Sequence, residues 1–180
     1  MRFKNSTLLK ILGFLLAVIA STKAHLPLNP GPELNNLKTA FVYNFTKYIA
    51  WPQIEKDQAF IIGVLGDDEI ISSFQQMAEK KLVGKLPIQI KHYKSLRELK
   101  YCHILYIAES KNTQLEAILK QIANRRTLTI ASTTGFCKRG VMINFFIQDD
   151  MVKFEMNPVK LENAGLKASS QLLKLARIIE

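Results

Sequence analysis

The chain predicts a single α/β domain. Its mixed, mostly parallel sheet carries helices on both faces and closes with a β-hairpin and a helix. Two observations carry this. Short continuous apolar runs, the mark of strands buried on both faces, alternate with stretches of helical periodicity. Near the end, two apolar runs are separated only by Gln148-Asp-Asp150, a hairpin spacing. At 180 residues the chain is long enough for one sizeable core, not for two.

The N-terminus reads as a targeting segment, residues 1–24. Arg2, Lys4 and Lys10 precede the apolar stretch Ile11 to Ala20, of signal-peptide length and too short to span a bilayer. Thr22 and Ala24 suit cleavage before His25, with a cut after Ala20 or an uncleaved anchor as alternatives. No Cys follows to take a lipid. The expected compartment is the periplasm. The net charge of +10 falls to +6 when the segment's four basic residues, and no acidic ones, are removed. The charges are scattered, with Lys80-Lys81 and Arg125-Arg126 as doublets, and scattered lysine reads as a solvated face. Nucleic acid is not an expected partner of an exported chain.

Residues 25–32 read as an extended, Pro/Gly-rich leader, and 33–180 as the folded domain. Pro32 suits a helix start. Leu34, Leu37, Phe41, Phe45 and Tyr48 recur at helical spacing, and Pro52 stops that helix at about Ala50-Trp51. Ala59 to Leu65 is the first long strand, and Gly66-Asp-Asp68 turns it into a helix from Glu69 to Lys80. Pro87 to Ile90 is a strand, Ser95 to Leu99 a helical turn, and His103 to Ala108 a strand. A helix capped by Asn112 or Thr113 runs to Asn124. Strands follow at Thr127–Ala131, Val141–Ile147 and Val152–Met156, the last two forming the antiparallel edge of the sheet. Asn157-Pro158 caps a helical turn, Gly165 interrupts, and Lys167 to Ile179 is the closing helix.

Few residues suggest chemistry. Gly66-Asp67-Asp68 follows a parallel strand, where open α/β sheets bind ligands. As a Mg²⁺ site it lacks a partner aspartate after the third strand, which ends in Ala108-Glu-Ser110. N-capping is the simpler role. A small-ligand crevice would draw on Asp67, Ser110 and Ser132. Ser132-Thr-Thr-Gly135 lacks the Lys and Gly-rich loop of a phosphate cradle. His25, His92 and His103 lack metal-ligand spacing, so no metal and no cofactor are expected. His103 inside an apolar strand reads as a satisfied core histidine. No serine sits in a nucleophile elbow, and Ser169-Ser170 reads as a packing spot. A hydrolase is the remote reading.

Cys102 opens one strand and Cys137 follows the far end of another. A parallel pair would hold them roughly 15 Å apart by strand rise, beyond disulfide reach. A Cys102–Cys137 bond is therefore not expected, although export favours disulfides. Several large rings crowd the first helix. Tyr43 and Trp51 fall off its main stripe, and rings of this kind anchor interfaces.

Lys38-Thr-Ala-Phe-Val-Tyr-Asn-Phe-Thr-Lys-Tyr-Ile-Ala-Trp-Pro52, Phe60-Ile-Ile-Gly-Val-Leu-Gly-Asp-Asp68 and Cys102-His-Ile-Leu-Tyr-Ile-Ala108 occur in one order. Ile143-Asn-Phe145, Phe154-Glu-Met-Asn157 and Gly165-Leu-Lys-Ala-Ser-Ser-Gln-Leu-Leu-Lys-Leu-Ala176 follow. Together they resemble the YfiR family over nearly the whole mature chain. The resemblance implies a periplasmic, non-enzymatic repressor of a YfiN-type inner-membrane diguanylate cyclase, or of another membrane sensor. It implies an outer-membrane lipoprotein as a further partner, and lowered cyclic di-GMP with less biofilm as the outcome. Self-association as a homodimer is a further expectation. Family members often carry more cysteines than Cys102 and Cys137. The residues expected to touch a partner are Tyr43, Tyr48 and Trp51 on the first helix, with Phe154 and Glu155 near the sheet edge. The reading from another class is a periplasmic small-ligand binder feeding a membrane sensor.

Overall fold

A computed structural model describes residues 31–180, except Gln53, Glu55 and Lys56. The targeting segment and most of the leader lie outside these residues.

Helix α1 (Gly31–Tyr48) opens the domain. The two-residue strand β1 (Ile49–Ala50) follows directly. Next come β2 (Phe60–Leu65), α2 (Ile70–Ala78), β3 (Leu82–Val83), β4 (Leu86–Tyr93) and β5 (Ile104–Ile107). A 3-10 turn then leads into α3 (Leu115–Ile122), followed by β6 (Leu128–Ala131), β7 (Ile143–Gln148), β8 (Met151–Met156) and α4 (Pro158–Asn163). The chain closes with β9 (Lys167–Ala168), α5 (Ser170–Leu175) and β10 (Arg177–Ile178).

The main sheet runs β10-β8-β7-β6-β5-β2-β4-β3. Its five central strands are parallel, and β7–β8 and β3–β4 are antiparallel. Counted from β2, the parallel strands take the doubly wound order 2-1-3-4-5. Each face is covered, as such a sheet requires. On one face α1, α2, α4 and α5 bury Val42, Phe45, Phe74, Leu161 and Leu172 against Ile62, Val64, Ile104, Tyr106 and Ile130. On the other, Leu115, Ile118 and Ile122 of α3 join Phe136 and Val141 against Leu65, Leu105 and Ile107. The continuous apolar runs of β2, β5 and β6 follow from this double cover.

Local chemistry explains the joints. The hairpin turns at Asp149-Asp150, both with positive φ (53° and 57°), a conformation that aspartate tolerates and that matches strand twist. Asn157 caps α4, its side chain accepting from the Lys160 N–H at 2.9 Å, with Pro158 at the first helical position. Gly63 allows β2 to meet its neighbours closely. A Cβ there would lie 2.8 Å from the Tyr93 ring and 3.1 Å from Cys102 Sγ.

The closing helix expected over Lys167–Ile179 is instead strand, short helix and strand. Lys167-Ala168 pairs with β1, Ser169 Oγ caps α5 by accepting from the Leu172 N–H at 3.2 Å, and Ala176 is already extended. Strand β10 then runs parallel to β8. The hairpin is therefore not the outermost element on its side, because β10 lies beyond it. At the other end, β3 adds an antiparallel strand that no sequence pattern announced. The helix expected from Asn112 begins as a 3-10 segment over Glu109–Gln114.

Candidate functional site

The buried stripe of α1 is Asn35, Thr39, Val42 and Phe45. This is rotated from the expected stripe, in which Leu37 and Tyr48 pointed inward. Leu37 is 46% exposed and Tyr48 41%. Two aromatic contacts set the rotation. Phe45 stacks on Phe145 at 6.0 Å and meets Phe154 edge-on at 5.1 Å, which fixes the C-terminal half of α1 across the hairpin. Phe41 lies alongside, 6.0 Å from Phe145 and 5.9 Å from Phe154.

This arrangement leaves an apolar groove of about 530 Å³ between α1 and α5. Phe41, Phe45 and Tyr48 form one wall, Leu172 and Leu175 the other, and Phe154 the floor, with Asn44, Gln171 and Lys174 also lining it. Leu175 is 74% exposed, the early end of α5 having left it without a core to enter.

Of the five residues expected to touch a partner, the groove brings Tyr48 and Phe154 together. Tyr43 is half-buried and turned away from it toward β3, its hydroxyl donating to the Leu82 carbonyl at 3.3 Å and its ring beneath Lys47 Nζ at 4.6 Å. Trp51 is a core residue, edge-on to Phe60 at 5.3 Å and donating its indole N–H to the His103 carbonyl. Glu155 is also buried, ion-paired with Arg177. It was expected at an open edge, but β10 covers that position. Phe41, Leu172 and Leu175 were not anticipated. For Phe41 the signal is that Leu37, Phe41 and Tyr48 share one side of α1 and Val42 lies on another, and one side alone faces the sheet.

The ligand crevice expected around Asp67, Ser110 and Ser132 is not assembled. Asp67 is exposed, lining a shallow depression with Asp68, Glu69 and Ile71. At Gly66 (φ 95°) the connections after β2 and β5 press together, so that a Cβ would lie 2.7 Å from Ser110 Oγ. Ser132 turns to another partner, its hydroxyl 2.8 Å from that of Tyr106. Burial, helped by the charge of Asp68, pushes the Tyr106 phenol up. Burial also lowers the Lys38 ammonium, with Asp68 opposing. Asp68 accepts from the Ile70 N–H at 3.0 Å at the start of α2.

His103 is buried and fully partnered. Nδ1 accepts from the Ile61 N–H at 2.9 Å, which places the ring proton on Nε2, 2.9 Å from the Asp57 carboxylate. Among the described residues, no group of three or more His, Cys, Asp or Glu is placed to hold a metal ion. No described helix is long and apolar enough to cross a membrane. Cys102 and Cys137 are buried free thiols. Burial pushes each up to about 12, with Glu155 adding to the effect at Cys137 and Arg177 opposing it.

The exposed basic residues are densest in the stretch from Lys80 to Lys100. Lys80, Lys81, Lys85, Lys91, Lys94, Arg97 and Lys100 are all exposed, and Glu98 is the one acidic residue among positions 80–100. The Ser95 hydroxyl and the Lys94 amide bind the Glu98 carboxylate and hold it below its usual range. This stretch alone therefore carries +6.

No curated protein matches the chain. A protein-family model does, over residues 35–177, from the buried face of α1 to the start of β10. On that match, and in keeping with the order of its motifs, the chain belongs to the YfiR/HmsC-like family.

Proposed function

We propose that this protein is a periplasmic regulator that binds an inner-membrane diguanylate cyclase and holds it inactive, lowering cyclic di-GMP. Membership of the YfiR/HmsC-like family, which is regulatory and not catalytic, supports the role. The observation that carries it is the groove between α1 and α5. Large rings and leucines line it, with Tyr48 and Leu175 exposed at its rim, and apolar grooves of this kind receive the apolar face of a helix. Lys174 lines the groove and Lys47 stands one turn from Asn44 on its wall, so the fitting occupant is an amphipathic helix with acidic flanks.

Repression of this kind makes and breaks no bond. The repressor binds the inactive form of the cyclase more tightly, and shifts the equilibrium only by that difference. The test is deletion of the gene and complementation with the wild type or with Tyr48→Glu. Deletion raises cyclic di-GMP, the wild type restores it and Tyr48→Glu does not. An unchanged level in the deletion strain overturns the assignment. The targeting segment supports export, and recovery of the mature chain from the cytosol would remove that support.

A further inference from the structure

Strand β4 ends the parallel run of the sheet, and β3 covers only its first two residues, Leu86 and Pro87. Beyond them the outer side of β4 has no strand neighbour among the described residues. The Gly66 N–H donates to the Tyr93 carbonyl at 2.9 Å, so Tyr93 directs its backbone groups toward β2. Backbone direction alternates along a parallel strand. Ile88, Ile90 and His92 therefore point their N–H and C=O groups outward. Ile88 faces Lys81 in the register of β3, because Pro87 has no N–H and the Leu82–Pro87 pairing runs through these neighbours. The two N–H and two C=O groups of Ile90 and His92 stand unpaired among the described residues.

The same edge carries the concentrated charge. Lys80, Lys81 and Lys85 flank β3, Lys91 lies on β4 and Lys94 follows it, all exposed and none in an ion pair among the described residues. Lysine on an edge strand discourages pairing with another copy of the same chain, because like charges would meet. It does the opposite for an acidic strand. Side chains alternate across β4, with Ile88 and Ile90 turned to the face of the main core and Gln89 and Lys91 to the other.

We propose that the open edge of β4 receives an acidic extended segment of another protein by β-strand addition. The incoming backbone pairs with Ile90 and His92. Its apolar residues continue the row of Ile88 and Ile90, and its acidic residues lie beside Lys91. Main-chain bonds supply affinity and the alternating side chains supply selectivity. The edge lies at the far end of the sheet from β8 and its groove, so this surface is separate from the one proposed above.

The test uses the purified mature protein and a fluorescein-labelled octapeptide of alternating Val and Glu. Saturable binding is expected, weakening as salt rises. The Lys–Val counterpart does not bind, and Lys85→Glu/Lys91→Glu weakens binding at least about tenfold while the melting temperature holds. Amide exchange at Ile90 and His92 slows when the peptide binds, a readout that charge attraction alone does not move. Three results overturn the proposal. One is no saturable binding, and another is binding that leaves those two amides unprotected. The third is binding to phosphatidylglycerol vesicles that the Lys85→Glu/Lys91→Glu variant abolishes, with no binding of the peptide. That last result would reassign the basic edge to an anionic lipid surface.

Discussion

The indole N–H of Trp51 donates to the backbone carbonyl of His103 across 3.2 Å, tying the end of the first helix to the entry of the central strand. Both residues are buried, and the same His103 takes the Ile61 N–H on its ring. Trp51→Phe keeps most of the ring volume and leaves the carbonyl without this donor. The expected cost is about 1 kcal/mol in urea unfolding. Trp51→Ala adds a cavity and costs about 3–5 kcal/mol. Trp51→Phe leaves the affinity of the folded protein for a partner unchanged, which distinguishes a core anchor from a contact residue.

The groove residues behave in the opposite way. Tyr48 and Leu175 are exposed, so Tyr48→Glu and Leu175→Glu change stability by no more than about 0.5 kcal/mol. Each is expected to weaken binding to the periplasmic region of the cyclase by at least about tenfold, as read by titration calorimetry. Truncated hot-spot side chains cost on the order of 2 kcal/mol.

The two thiols are buried and protonated at neutral pH. In the folded state both titrate near 12, above the free value of about 8.5. The folded form therefore holds its protons more tightly than the unfolded one. The resulting stability is complete below about pH 8.5 and is lost as pH rises toward 12. Native protein at about pH 8 is expected to resist iodoacetamide, because the thiolate is the nucleophile, and to react at both cysteines in guanidinium. The Cys102→Ala/Cys137→Ala protein loses stability less steeply between about pH 9 and pH 11.

Gly63 is expected to tolerate no side chain. Its Cβ would stand 2.8 Å from Tyr93 Cε2 and 3.4 Å from Leu105 Cδ1, both on buried residues. Gly63→Ala should cost about 1–3 kcal/mol by overpacking, measured by thermal unfolding. Gly84, with nothing within 4 Å of its would-be Cβ, has no such neighbours to displace.

Much of this architecture was legible. The runs Ala59–Leu65, His103–Ala108 and Thr127–Ala131 are rich in buried β-branched and apolar residues, and each became a central strand within a residue or two. Asn157-Pro158 announced its cap. The site was less legible, for identifiable reasons. Helix α1 carries the apolar stripe Leu34, Leu37, Phe41, Phe45 and Tyr48, whereas the buried stripe shares Phe45 and includes Asn35 and Thr39, which spacing and polarity did not favour. The choice is made by Phe145, Phe154 and His103, all distant in sequence. Strands β9 and β10 are two residues each, too short to show a period, and Leu172 and Leu175 imitate a continuing helix. Without β10, Glu155 read as exposed. Lys80, Lys81, Lys85 and Lys91 read as an ordinary solvated scatter until β3 and β4 placed them on or beside one pair of edge strands.

The contact between Gly66 and Ser110 has a consequence for how such a molecule can be recognised. In sheets of this winding, guests usually lodge where the strand order reverses, and here the host's own loops occupy that berth. Selectivity must then be inscribed on the outline, at the two rims of the sheet and along the helix draped over it. Those are the places where changes in sequence would retune whom the protein meets while leaving its interior alone.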